Sequence, residues 1–152
     1  MQSAVTKILK DKDIPFRLIR LSNKSISSDD VIKNAIDDLN PSEICKTIIT
    51  KDKSGNFYAI ILPGKNKIDF SKAQNIIGQK INIVEFNDVE KITGQKPGAI
   101  TPITLNMPIY VDQKIFQTEK INFGSGDYSF GLEISVNDLK KIFTFRKVNI
   151  SQ

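Results

Sequence analysis

The chain has 152 residues, 39% of them hydrophobic and 26% charged, which fits a single globular domain. Its net charge of +5 makes polyanions such as nucleic acids plausible partners, because a basic surface attracts phosphates at long range. With no histidine and one cysteine, the composition excludes a serine–histidine triad and an internal disulfide, and we expect no metal and no cofactor.

The cellular location is expected to be the cytoplasm. No stretch approaches the ~20 apolar residues of a membrane span, and residues 1–13 lack the apolar core of a secretory signal. The single Cys45 also suits a reducing compartment.

The first third of the chain is predicted to alternate helix and strand. Val5, Ile8 and Leu9 have helical spacing that ends before Pro15, and the alternation over residues 16–21 is typical of a strand. Ser27 or Ser28 followed by acidic residues predicts a helix start. One apolar face of this helix is expected to comprise Ile32, Ala35, Ile36 and Leu39, closed by Asn40-Pro41.

The middle third is predicted to open with a hairpin. Residues 44–50 and 57–62 are rich in β-branched residues and are joined by the turn-like segment 51–56. Ser71 is expected to cap a short helix that stops at Gly78, and residues 81–86 read as a strand. A further brief helix is expected to stop at Gly94.

The last third combines strands, turns and one short helix. Strands are predicted near residues 109–111, 120–123 and 132–134. Ser135 to Asp138 resembles a capping box that opens a helix to Phe143, and residues 144–152 are expected to be a frayed tail. The irregular alternation of short elements predicts an α+β fold: one domain with a mixed, mostly antiparallel sheet or partial barrel flanked by short helices.

Lys46 is the first candidate functional residue, because it lies inside a β-branched apolar run. Period-two alternation places it on one strand face with Ile44 and Ile48. An ammonium on an inward face needs an anion or a cavity, since an unpaired buried charge is costly. An edge-strand lysine that reaches solvent is the other interpretation of the same pattern.

Two glycine-containing segments are the next candidates. In residues 93–102, Gly98 beside Ala99 lets the backbone approach a ligand and present N–H groups, although an ordinary surface loop fits the same pattern. This segment matches neither a dinucleotide fingerprint nor a P-loop. In residues 123–135, the Gly-Ser-Gly turn permits Ser125 to hydrogen-bond a bound group, and it equally suits a plain hairpin.

The order of these segments resembles the YbaK/ProX editing domains, the aminoacyl-tRNA deacylases related to the insertion domain of bacterial prolyl-tRNA synthetase. The resemblance covers about residues 4–143; we take residues 1–143 as the domain and residues 144–152 as a C-terminal tail. The matching segments are 14–16, 43–47, 61–64, 67–72, 93–102, 109–112 and 131–139. Each is unspecific alone; their order and spacing carry the resemblance.

The resemblance implies a reaction and a set of site residues. Family members hydrolyse the ester between a wrongly attached amino acid and the terminal adenosine of tRNA, with the ribose 2′-hydroxyl orienting the water. By position, Lys46, Gly98 and Ala99 correspond to the catalytic residues, with Lys46 anchoring the tRNA 3′ end. The implied substrate-binding residues are Leu21, Thr47, Thr101, Pro102, Ser125 and Gly126.

Departures from the family pattern leave the edited amino acid open. Ala99 replaces a glycine found in many members, Ile103 and Thr104 follow Pro102, and Leu21 stands where some members have a tyrosine. Cysteine or alanine on tRNA(Pro) is the expected substrate, with serine and threonine as alternatives. The expected partners are the 3′ acceptor end of a mischarged tRNA and an aminoacyl-tRNA synthetase; a monomer is expected. The alternative function is a non-catalytic module that binds tRNA or a synthetase.

Overall fold

The computed structural model describes residues 3–152, which contain five short α-helices and eight β-strands. The helices are α1 (Ala4–Asp11), α2 (Ser28–Asn34), α3 (Phe70–Ile77), α4 (Phe86–Thr93) and α5 (Leu139–Ile142). The strands are β1 (Phe16–Arg20), β2 (Cys45–Asp52), β3 (Phe57–Pro63), β4 (Ile81–Ile83), β5 (Ile109–Asp112), β6 (Lys120–Gly124), β7 (Phe130–Ser135) and β8 (Arg146–Val148).

The strands form two sheets. The smaller sheet has the order β1-β7-β6 and is antiparallel throughout. The larger sheet has the order β4-β2-β3-β5-β8, with antiparallel pairing around β2 and parallel pairing of β5 with both β3 and β8. These mixed sheets and short helices confirm the predicted single-domain α+β fold.

The two sheets meet at the start of β2, where Ile44 forms an isolated parallel bridge with Asn122 of β6. The main hydrophobic core includes side chains from both sheets and from α1, among them Leu9, Ile61 and Ile121. A second core lies where α3 packs on the larger sheet, around Ile60 and Leu62. Alternate residues of β3 therefore face different cores, as the period of a strand requires.

Several predicted boundaries are confirmed. Ser27 caps α2 by accepting a hydrogen bond from the Asp30 N–H, and Gly78 and Gly94 end α3 and α4 in the left-handed conformation. That conformation has no steric cost for glycine, which explains why the sequence locates these ends well.

Three local predictions were wrong. Helix α2 ends at Asn34, so Ile32 and Ile36 form no core face and are 48% and 57% exposed. Asp69, rather than Ser71, caps α3. Ser135 makes no side-chain cap, and a 3₁₀ turn precedes the four-residue α5.

The predicted fraying of residues 144–152 was also wrong. Strand β8 pairs with β5, Ile150 is 0% exposed, and Ser151 donates its hydroxyl to the buried Asp112 carboxylate. The Gln152 N–H donates to the Lys67 carbonyl at 2.9 Å, and the Asp69 N–H donates to the Ile150 carbonyl at 2.9 Å. The C-terminal segment therefore holds the loop that carries Lys67.

Within residues 3–152, every helix is too short or too polar to cross a bilayer.

Candidate functional site

A cleft of about 760 Å³ opens where the two sheets meet. This volume lies within the range of about 300–1,000 Å³ that is usual for small-molecule sites. Its walls come from the ends of β1, β2, β6 and β7 and from the segments 25–29, 64–67, 83–89 and 97–100. The candidate residues can therefore be tested against one shared cavity.

Lys46 lies on β2 opposite Leu62 of β3 and lines this cleft. The ion pairs found in the described part of the chain do not involve it. Burial lowers the pKa of the Lys46 ammonium, and the neighbouring Lys67 lowers it further. A half-buried cation without an internal partner is suited to an anionic or strongly polar ligand.

Charges of both signs line the cleft. Lys46, Lys65 and Lys67 supply cations, whereas Asp29 and Asp127 supply carboxylates. The Asp127 carboxylate accepts a hydrogen bond from the Ser129 N–H at 2.8 Å, which fixes its position. The cleft can thus bind a ligand that carries an anionic part and a cationic part.

The loop carrying Gly98 and Ala99 is held by its neighbours. The Tyr128 hydroxyl donates to the Pro97 carbonyl at 2.7 Å, and the Gly126 N–H donates to the Ala99 carbonyl at 2.8 Å. The Gln95 side chain bonds both backbone groups of Thr101. A loop fixed in this way can present backbone groups to a ligand without reorganising.

Glycine is required at position 98. Its φ is +88°, and a side chain there would meet the Ile26 Cα and carbonyl oxygen at 2.7 Å. Gly98 therefore packs closely against Ile26, and both residues line the cleft. This contact is the physical reason for glycine at the position that the sequence singled out.

Gly98 and Ala99 differ in which of their backbone groups are free to bind a ligand. The Ala99 N–H already donates to the Lys96 carbonyl at 3.3 Å, while its carbonyl is occupied by Gly126. Among the described residues, no acceptor is found for the Gly98 N–H. Gly98 is therefore the better candidate for a backbone donor, and Ala99 contributes a buried apolar wall.

The structure brings together five of the nine predicted site residues. The residues that line the cleft are Leu21, Lys46, Thr47, Gly98 and Ala99. The other four, which do not line it, are Thr101, Pro102, Ser125 and Gly126. Direct substrate contact by this second group stays a prediction.

Ser125, one of the four predicted residues that do not line the cleft, has a structural role. Its hydroxyl donates to the Phe130 carbonyl at 2.6 Å and accepts from the Asp127 N–H at 3.2 Å. These bonds close the turn between β6 and β7, so the hydroxyl is occupied within the protein. This turn also positions Asp127 and Tyr128 beside the cleft.

Two buried polar atoms beside the cleft have no hydrogen-bond partner in the described part of the chain: Thr47 Oγ1 and Asn122 Oδ1. The sequence analysis found Thr47 and missed Asn122. Asn122 lies between Ile121 and Phe123, a pattern that indicates a solvent-facing strand position rather than a buried one.

Cys45 also lines the cleft, and burial raises the pKa of its thiol. The thiol donates a weak hydrogen bond to the Glu43 carbonyl at 3.5 Å. A protonated thiol is a poor nucleophile. The site therefore has neither an activated thiol nor an imidazole, and positioning by cations and amides is the chemistry it offers.

The cleft rim is partly apolar. Ile26, Ile83 and Phe86 line it and are largely exposed, with Phe86 56% exposed at the start of α4. Exposed apolar side chains beside cations suit flat, uncharged ring systems attached to phosphates.

Comparison with known proteins places this chain in a family. The model of the aminoacyl-tRNA editing domain matches residues 29–142. The proline–tRNA ligase of Caldicellulosiruptor bescii is 25% identical over 104 residues, which are 67% of this chain and 18% of that ligase. The ligase of Thermoanaerobacter sp. strain X514 is 29% identical over 100 residues, 62% of this chain and 17% of the ligase. The chain thus spans less than a fifth of the length of these relatives.

Solved structures share the fold over the whole chain. The crystal structure of a hypothetical protein superposes with a TM-score of 0.87 at 22% identity, covering 99% of this chain and 100% of that one. A proposed trans-editing enzyme for prolyl tRNA synthetase superposes with a TM-score of 0.78 at 15% identity, covering 100% and 99%.

Proposed function

Since this chain belongs to the aminoacyl-tRNA editing domain family, we propose that it is a trans-editing deacylase that hydrolyses the ester of a mischarged tRNA. The observation that carries the proposal is Lys46, a half-buried cation without an ion-pair partner in residues 3–152, in a cleft that also contains the Gly98 backbone. An activated ester needs orientation and stabilisation of the developing oxyanion more than a strong base.

The charges that line the cleft determine the orientation in which the tRNA 3′ end binds. The rim lysines Lys65 and Lys67 attract the phosphates of the tRNA 3′ end, and Lys46 lies further in, where it orients the terminal ribose and the ester. The apolar rim provides Phe86 and Ile83 for contact with the terminal adenine. The aminoacyl group then enters the buried part of the cleft.

Hydrolysis requires one water and no cofactor. The water oxygen forms a bond to the ester carbonyl carbon, and the ribose oxygen leaves with a proton, which gives the free amino acid and uncharged tRNA. Lys46 and the Gly98 N–H are the donors available for the carbonyl oxygen during attack. As the resemblance to the editing domains implies, the ribose 2′-hydroxyl orients the water, and this route needs no histidine.

We propose tRNA(Pro) charged with cysteine or alanine as the substrate. The supporting fact is that the curated relatives are proline–tRNA ligases, in which the matching segment is part of a much longer chain. Ala99 and Leu21 narrow the cleft with small or medium apolar side chains, which suits a small aminoacyl group. Such pockets discriminate by about 1–3 kcal/mol per methylene, so serine and threonine belong in the test panel.

The test is release of labelled amino acid by the purified chain. The panel contains Cys-, Ala-, Ser- and Thr-tRNA(Pro), with cognate Pro-tRNA(Pro) as the substrate that should remain intact. Lys46→Ala should lower the rate by at least about a hundredfold. A tRNA(Pro) ending in 2′-deoxyadenosine should also be hydrolysed poorly.

Each result has a definite meaning. No release from any mischarged tRNA contradicts the enzyme and favours a module that only binds tRNA. Release that Lys46→Ala leaves unchanged contradicts the assigned mechanism but keeps the activity.

A further inference from the structure

Asn122 is the least explained polar residue of the cleft. It is 3% exposed, it contributes to the cleft lining, and its Oδ1 atom has no hydrogen-bond partner within residues 3–152. Leaving a buried carbonyl oxygen unpaired is unfavourable, so native proteins rarely keep one without a use. A ligand that brings a donor would satisfy it.

The orientation of the Asn122 amide is fixed by a cross-strand row in the smaller sheet. Arg17 of β1 lies opposite Glu133 of β7, and Glu133 lies opposite Asn122 of β6. The Arg17 guanidinium donates to both carboxylate oxygens of Glu133 at 3.1 and 2.9 Å, and Asn122 Nδ2 donates to Glu133 at 3.3 Å. A flipped amide would set two acceptors against each other, so Oδ1 must point away from Glu133.

This row also makes Oδ1 a better acceptor. Burial alone would raise the pKa of Glu133, but the hydrogen bond from Arg17 lowers it, and the net shift is downward. The carboxylate is therefore ionised at neutral pH. A carboxylate that accepts from the amide N–H polarises the amide and increases the negative charge on its oxygen. The acceptor is thus suited to a cationic donor.

The depth of Asn122 selects which part of the substrate reaches it. It is buried at the bridge between β6 and Ile44, whereas the rim lysines are exposed. Polyanionic RNA is held at the rim, and the aminoacyl group enters furthest. The ester offers acceptors only, so the α-amino group is the donor that small aminoacyl groups share.

We propose that Asn122 Oδ1 binds the α-amino group of the aminoacyl moiety, with Glu133 and Arg17 as positioning residues. This inference rests on the proposed function, because it takes the substrate to be an aminoacyl ester. Asn122 then distinguishes a free amino acid ester from an ester whose nitrogen is acylated or absent.

Binding measured by calorimetry tests the proposal without turnover. The probes are 3′-deoxy-3′-(alanylamino)adenosine, a non-hydrolysable amide, and its propionyl counterpart, which lacks the amino group. The wild-type protein should bind the alanyl compound about tenfold more tightly, as one charge-assisted hydrogen bond allows. Asn122→Leu should abolish this preference, and Glu133→Gln should reduce it.

Stability separates binding from a structural role. Asn122→Leu removes the unsatisfied Oδ1 atom but also the Nδ2 donor to the buried Glu133 carboxylate. Because Arg17 still donates to both oxygens of Glu133, the melting temperature should stay close to that of the wild type. If Asn122→Leu does not fold, Asn122→Val is used in its place, because valine suits a strand. Asn75→Leu on the exposed face of α3 is the matched control and should keep the preference.

The outcomes are distinguishable. Equal binding of both probes by the wild type, or a preference retained in Asn122→Leu and Asn122→Val, overturns the proposal. A protein that shows the preference yet hydrolyses no aminoacyl-tRNA overturns the proposed function and leaves this amino-group site supported. A protein that hydrolyses without the preference overturns the site alone.

Discussion

Tyr128 donates its hydroxyl to the Pro97 carbonyl at 2.7 Å, and this bond ties the β6–β7 turn to the loop that carries Gly98. Lys24 lies over the same ring at 4.4 Å from its centroid. One aromatic side chain thus joins a candidate catalytic loop to a second segment beside the cleft.

Removing this hydroxyl should lower both activity and stability. Tyr128→Phe is expected to lower deacylation severalfold, because the Gly98 loop loses an anchor, and to cost about 1 kcal/mol in urea unfolding. Tyr58→Phe is the matched control, since the Tyr58 hydroxyl donates to Asp52 at 2.8 Å outside the cleft. Equal loss of activity in both variants would contradict the role of Tyr128.

The pH dependence of activity should report Lys46. Burial and then Lys67 lower its pKa, so Lys46 loses its charge at a lower pH than an ordinary lysine. Deacylation, corrected for spontaneous ester hydrolysis, should therefore fall on the alkaline side below the usual lysine range. Lys67→Gln removes one repulsive charge, raises the pKa of Lys46 and should move this fall to higher pH. The exposed Lys80→Gln should leave the profile unchanged.

Gly98 and Gly94 form a natural pair for mutation. Both have positive φ, +88° and +71°, but a Cβ at Gly98 meets the Ile26 backbone at 2.7 Å, whereas one at Gly94 meets nothing within 4 Å. Gly94→Ala should cost about 1 kcal/mol and retain activity. Gly98→Ala should cost more and abolish deacylation, because the loop or the segment at Ile26 must shift. Retained activity in Gly98→Ala would refute this arrangement.

The salt dependence of tRNA binding should report the phosphate contacts that the rim lysines make. Each phosphate contact to single-stranded RNA contributes a slope of about 0.7 in a plot of log affinity against log salt. The double variant Lys65→Gln and Lys67→Gln should lower the slope by about 1.4, measured by filter binding. An unchanged slope would place the RNA elsewhere on the surface.

The C-terminal segment should contribute strongly to stability. Ile150→Ala removes a 0% exposed side chain from the second core and should cost about 2–5 kcal/mol in urea unfolding. The half-exposed Ile32→Ala should change the free energy of unfolding by less than about 0.5 kcal/mol. Similar values for the two would mean that the C-terminal segment is not packed as described.

The sequence predicts best the elements whose cause is local. Gly78 and Gly94 stop helices through their own backbone freedom, and the alternation of residues in β2 and β3 follows from the chain itself. Lys46 could be singled out for the same reason, because its apolar neighbours are adjacent in sequence.

Features that depend on distant partners could not be found this way. Arg146, Lys147 and Val148 carry no strong strand pattern, and they form β8 because β5 offers a free edge. Asn122 resembles an exposed strand residue until β7 places Glu133 opposite it and β2 meets β6. Ile32 and Ile36 have helical spacing, yet the bridge between Leu21 and Ala35 ends the helix first.

The parallel pairing of β8 with β5 has a consequence for biosynthesis. Lys46 lies on β2 of the larger sheet, but β8 of the same sheet is synthesised much later than β2. Pairings between distant segments form late and slowly, because loop closure costs entropy before contacts repay it. On the ribosome, the cleft should therefore become competent only after residues 146–150 have emerged from the exit tunnel, and until then the nascent chain exposes the β5 edge to chaperones.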